Sequence, residues 1–135
     1  MHIEDKFALM RRLFTKLRPG GRVLFTDYVS GDGPQEPEYA AYLKQRQYFP
    51  ATVDKYRKVL QTSGFVAVDC ADWTHVFRAA LEAELLRLQQ GRQQFLQRFS
   101  LQDLHDLESG WRQKLVRVQN RNQAWMLATA VKPLA

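Results

Sequence analysis

The segment Tyr39-Ala40-Ala41-Tyr42-Leu43-Lys44-Gln45-Arg46-Gln47-Tyr48 holds the densest set of side chains able to do chemistry in this chain. On a helix, Tyr42 and Arg46 stand four apart and share a face, and Tyr39 lies three before Tyr42. A guanidinium beside phenols suits a phosphate, because arginine donates two parallel charge-assisted hydrogen bonds and tyrosine adds neutral ones. The same pattern also suits a surface helix whose tyrosines simply pack by their rings. Tyr28, ending an apolar run, either joins such a site or caps the core. His2 comes just before the first helix, where an imidazole can serve as a general base or stay inert. Gly110-Trp111-Arg112-Gln113-Lys114, with Arg117 and Arg121, gives the last helix a basic side that reaches an anion or faces water.

Other chemistries find little support. His75 and His105 lie in separate amphipathic stretches with no ligand-type residue four positions on, so no zinc motif is expected and both read as surface or packing residues. The single cysteine, Cys70, forbids an internal disulfide and a cysteine-based zinc site. Gly31-x-Gly33 is followed by a proline and acids where a dinucleotide loop needs a helix start. No nucleophile elbow, phosphate-binding loop or paired-cysteine motif is present.

The elements that must position these groups follow from periodicity. Phe7, Met10, Leu13, Phe14 and Leu17 recur at helical spacing with Lys6, Arg11, Arg12 and Lys16 between them, predicting a helix over 4–17 that Pro19-Gly20-Gly21 ends. Residues 22–28 form a continuous apolar run of the kind found in strands covered on both faces, and helix, tight turn and strand read as half of a parallel α/β unit. The loop Val29 to Pro37 then lies at the strand's carboxyl end, the edge where open sheets bind ligands. Helices are predicted over 38–48 and 53–62, the latter with Thr52 as N-cap and Gly64 as stop. A strand follows over 65–72, then a helix over 73–89. A capping box at Ser100 and Asp103 opens a further helix through Val118, and a strand over 124–131 closes the set.

The composition sets the class. The chain has 135 residues, 45% apolar and 25% charged, which describes one ordinary globular domain or part of one. No stretch is apolar for the roughly 18 residues of a membrane span, nothing near Met1 resembles a signal peptide, and a cytoplasmic protein is expected. Lysine plus arginine total 20 against 14 acids, a net +6 that suggests an anionic partner. A first strand that reads as central, with only two others to pair with, predicts the carboxyl-terminal portion of a larger α/β domain, or a chain that pairs with another.

A family resemblance adds to this reading. His2-Ile3-x-Asp5-Lys6, Leu17-Arg18-Pro19-Gly20-Gly21, Thr26-Asp27-Tyr28, Glu38 with Tyr42-x-Lys44-Gln45-Arg46-x-Tyr48, Thr52-Val53-x-x-Tyr56, Gly64-Phe65, Phe95 to Ser100, and Gly110-Trp111-x-x-Lys114 closely resemble phosphoethanolamine N-methyltransferases. The LxPGG and TDY pieces recur in many S-adenosylmethionine-dependent methyltransferases, whereas YxKQRxY and GWxxK are characteristic of this family. The resemblance implies an α/β fold, the carboxyl-terminal part of a Rossmann-like class I methyltransferase. Residues 1–135 would supply its strands five to seven, with substrate-covering helices over 36–49 and 73–121.

The resemblance further implies that His2 belongs to the catalytic dyad that assists deprotonation of the substrate amine. Tyr28, Tyr42, Arg46, Tyr48 and Lys114 would hold the substrate phosphate. The cofactor implied is S-adenosylmethionine, bound mostly outside this chain, since the glycine-rich cofactor loop and the catalytic tyrosine belong to the family's first half. Ala124-Trp125-Met126 departs from the family's usual Trp-Gly pair, a change expected to concern packing. The partners expected are a small phosphorylated amine and the amino-terminal half or a second chain completing the sheet, with no nucleic acid and no membrane insertion. Competing readings are a methyltransferase of another small amine, such as sarcosine or dimethylglycine, and a non-enzymatic basic binding domain, which would bind nucleic acid with steep salt dependence.

Overall fold

A computed structural model describes residues 1–134. In chain order the elements are α1 (Lys6–Lys16), β1 (Arg22–Ser30), α2 (Pro37–Arg46), α3 (Val53–Thr62), β2 (Val66–Asp72), α4 (Thr74–Gln90), α5 (Arg92–Leu96), α6 (Leu101–Gln119) and β3 (Gln123–Val131). The predicted caps are present. Thr52 accepts from the Lys55 N–H at 3.1 Å to start α3, and Ser100 and Asp103 satisfy each other's backbone N–H groups at the start of α6.

The three strands form one sheet in the order β1-β3-β2, with β3 antiparallel to both neighbours. β1 and β2 therefore point the same way, as a parallel unit requires, but they do not touch. The expected parallel pairing is replaced by two antiparallel ladders because the last strand inserts between the first two. β3 is the central strand, with Met126, Ala128 and Ala130 at most 1% exposed. β1 is an edge strand, not one covered on both faces: Val23 and Phe25 are half-buried while Leu24 is 68% exposed.

The pleat separates two helical layers. Phe25 faces α3, its ring 5.6 Å from that of Tyr56, in a core that also contains Met10, Leu60, Met126, Ala128 and Ala130. Tyr28, of opposite parity, lies 5.3 Å from Phe77 of α4 and 4.7 Å from Trp125, its register partner on β3. Helices α1 and α3 thus cover one face, and α4 packs on the other with α6 beside it. In α1, the stripe is narrower than the periodicity predicts: Met10 is buried, but Phe7 and Leu13 are exposed and Lys6 is buried.

The turn after β1 owes its shape to two glycines. Gly31 N–H donates to Asn122 O at 2.9 Å and Gly33 N–H to Arg121 O at 2.8 Å, bringing this loop against the α6–β3 turn. A Cβ on Gly31 would lie 2.0 Å from the Arg121 carbonyl oxygen. Main chain cannot yield there as a side-chain tip would. Gly31→Ala should therefore cost about 2 kcal/mol or more, as overpacking against fixed atoms does, read as a lowered urea midpoint. An unchanged midpoint would show that the two loops are not held together.

Candidate functional site

The site is built from four separate segments. Tyr28 stands near the end of β1, its ring fixed by Trp125 and Phe77, which are themselves stacked at 5.2 Å. Trp125, where the sequence departs from the family pattern, thus supplies packing under the site. Helix α2 starts with Pro37 and Glu38 in its first turn and ends with Lys44 and Arg46 in its last, each complementing the helix dipole. Gln47, at φ 53°, then turns the chain back, and Tyr48 N–H reaches Leu43 O at 2.9 Å. That turn returns the Tyr48 ring to 5.8 Å from Tyr42. Its other neighbour is His2, edge-on at 4.8 Å.

Helix α6 brings the cations. Lys114 Nζ stands 6.0 Å from the centre of the Tyr28 ring, and the Arg117 guanidinium lies 3.6 Å over the Tyr42 ring. Both contacts cross from α6, on one face of the sheet, to groups at the end of β1 and on α2. All six residues expected from the sequence, His2, Tyr28, Tyr42, Arg46, Tyr48 and Lys114, therefore fall in one cluster. Arg117 joins them. Its basic helix side was legible, but its stacking on Tyr42 was not, because nothing local in α6 says which ring it will meet.

The electrostatics favour an anion. Burial pushes the Lys114 ammonium below the ordinary lysine value, and the Arg117 and Arg46 charges push it further the same way. Burial raises the Tyr28 phenol, with Tyr42, Tyr48 and Asp27 adding to the shift, so it stays a hydrogen-bond donor well into alkaline pH. Among the described residues neither Arg46 nor Lys114 is in an ion pair. Cations that crowd one another without a carboxylate are relieved by a bound anion. A cleft of about 940 Å³ runs alongside between α2 and α6, lined in part by Tyr39, Tyr42, Gln45, Arg112 and Arg117. The hydroxyl of Tyr39 is buried there without a partner among the described residues, and burial raises its pKa to about 12.

Other candidates fall away. His75 and His105 are both exposed and apart from the cluster's rings. Among the described residues no group of three or more His, Cys, Asp or Glu side chains is placed to hold a metal, and no helix is long and apolar enough to cross a membrane. Asp27, in the TDY string, serves the core: it accepts a hydrogen bond from the Tyr56 hydroxyl.

No family model matches the chain. A phosphoethanolamine N-methyltransferase of Triticum aestivum is 39% identical over 132 residues, covering 98% of this chain and 26% of that protein. One from Arabidopsis thaliana is 38% identical over 130 residues, again 26% of its length. The solved Haemonchus contortus phosphoethanolamine N-methyltransferase 2, in complex with phosphomonomethylethanolamine and S-adenosylhomocysteine, superposes with a TM-score of 0.94 at 33% identity, covering 98% of this chain and 31% of that one. The Mycobacterium tuberculosis cyclopropane synthase MmaA2, at 14% identity and a TM-score of 0.77, shares the fold alone. The chain spans about a quarter of the length of the plant relatives it matches. In sequence over nearly all its residues, and in the sheet order and helical layers just described, this chain belongs with the carboxyl-terminal portions of the phosphoethanolamine N-methyltransferase family.

Proposed function

We propose that this chain is the substrate-binding portion of a phosphoethanolamine N-methyltransferase, acting on the amine of phosphoethanolamine or its mono- and dimethyl forms. The observation that carries the reading is the convergence of Arg46 and Lys114, free of ion pairs, with three phenols from separate segments. A short zwitterionic substrate would place its phosphate on Arg46, Lys114, Tyr28, Tyr42 and Tyr48. With that end fixed, its amine would be presented to His2, on the far side of Tyr48, as a proton acceptor.

The methyl group would come from S-adenosylmethionine. The described residues do not fit that cofactor by themselves: the chain's one Gly-x-Gly turn is filled by the backbone of Arg121 and Asn122, leaving no cradle for it. In this reading the remainder of the protein holds the cofactor and lies along the free edge of β1. Sarcosine and dimethylglycine carry no phosphate to engage the cations, which disfavours them as substrates. A nucleic-acid surface is disfavoured because the excess charge is dispersed along the chain rather than run together.

The test is a chimera in which this chain replaces the matching portion of the Haemonchus contortus protein. It should methylate phosphoethanolamine or its methylated forms with a kcat/KM about 100-fold or more above that for the unphosphorylated amines, given roughly 1.5 to 3 kcal/mol per charged hydrogen bond lost. Equal activity on ethanolamine and phosphoethanolamine would sink the reading.

A further inference from the structure

Lys6 opens α1 among residues that read as a solvent-facing side, yet it is only 3% exposed. Its Nζ donates to two main-chain carbonyls, that of Ile3 and that of Phe49, the latter at 2.8 Å. Beside these, Phe49 N–H donates to Met1 O at 2.8 Å. The acceptors belong to two irregular segments, the one before α1 and the one after α2, and neither has the hydrogen-bond ladder of a helix or strand to hold it. Each carries a residue of the proposed site next to the acceptor: His2 precedes Ile3, and Tyr48 precedes Phe49. The ammonium also lies 5.9 Å from the Tyr56 ring, and burial pushes its pKa below the ordinary lysine value despite the favourable field of Asp27.

A buried cation is a poor way to stabilise a core. Methionine or leucine in the same space would bury as much apolar surface without desolvating a charge. What an ammonium offers that they do not is several donors at one point, able to tie separate carbonyls together. We infer that Lys6 is a positioning residue: it pins the segment bearing His2 to the turn bearing Tyr48 and so fixes the imidazole relative to the phosphate end of the substrate site. This rests on the substrate reading above for its functional consequence, but the pin itself is a matter of geometry.

The experiment is nuclear magnetic resonance on the full 135-residue chain. The wild type should show nuclear Overhauser contacts between the His2 and Tyr48 rings, and titration with phosphoethanolamine should shift the Tyr48 resonances. Lys6→Met, which keeps the aliphatic stem and loses the donors, should abolish the ring contacts and weaken phosphoethanolamine binding at least tenfold. Lys6→Arg, which keeps charge and donors, should recover most of both. A folded Lys6→Met chain with the ring contacts and the affinity intact would overturn the proposal. A wild-type arm stands independently of any variant. The Lys6 ammonium protons should be protected from solvent exchange and close to the α-protons of Ile3 and Phe49; rapid exchange with no such contacts would overturn the pin. A wild type that ignores phosphoethanolamine, yet loses its ring contacts in Lys6→Met, would remove the substrate reading and leave the pin standing.

Discussion

Replacing His2 with alanine in the chimeric methyltransferase should lower turnover on phosphoethanolamine about 100-fold or more while leaving the Michaelis constant within a few-fold of its starting value. The imidazole touches the site through Tyr48, at 4.8 Å between ring centres, and not through Arg46 or Lys114. It should therefore add little to the hold on the phosphate. Its contribution belongs to the step in which the amine becomes a nucleophile, when a proton must leave a nitrogen that is gaining positive charge. His2→Gln, which can donate or accept a hydrogen bond but cannot take up that proton, should be nearly as slow as His2→Ala. Steady-state kinetics on the two variants decide the matter. A raised Michaelis constant with turnover preserved would place His2 among the binding groups and remove it as the base.

The clamp should behave in the opposite way. Arg46→Ala and Lys114→Ala should each raise the Michaelis constant roughly 10- to 100-fold, corresponding to about 1.5 to 3 kcal/mol for hydrogen bonds to a charged group, with the thermal midpoint little changed. Arg46→Lys should recover only part of the loss, since an ammonium cannot reproduce a bidentate contact. Lys114 adds a pH signature. Because burial and the neighbouring arginines lower its pKa, its charge is lost as pH rises through a value below that of an ordinary lysine. Substrate affinity should fall on that alkaline limb in the parent chimera and lose the limb in Lys114→Ala. A Michaelis constant indifferent to Arg46 would return α2 to the plainer role of a surface helix.

Local signals in the sequence carried far because most of the elements are locally determined. Thr52 and the Ser100/Asp103 box place helix starts to the residue, since a cap is a contact between positions three apart and owes nothing to the rest of the fold. The α/β class was legible for the same reason. Strand order was not, because the choice between a parallel pair and two antiparallel ladders is made by β3, which lies far along the chain from both of its partners. Lys6 and Arg117 were hidden by the same distance. A lysine among Arg11, Arg12 and Lys16 gives no sign that two carbonyls from other segments will close over it. The placing of Arg117 three residues after Lys114 was a usable hint of a cationic face, though not of Tyr42 beneath it. The grouping of the site residues came from family resemblance, and the structure supplies its physical basis as a cluster of phenols and uncompensated cations.

The position of β3 in the sheet bears on how this chain comes to be folded. Arg22 pairs with Val131 and Asp72 with Met126, so both edge strands wait for the same late partner and have no ladder with each other. During synthesis from the amino end, α1 to α6 can emerge and form their local turns while β1 and β2 still expose unpaired backbone and side chains such as Leu24. Contacts of such long sequence separation are slow to form, because the loop between them must close before any of them is rewarded. The interval before β3 arrives is then the time of greatest exposure to wrong pairing, and chaperones or slowed translation across residues 73–122 would matter more to the yield of this chain than the stability of its finished core.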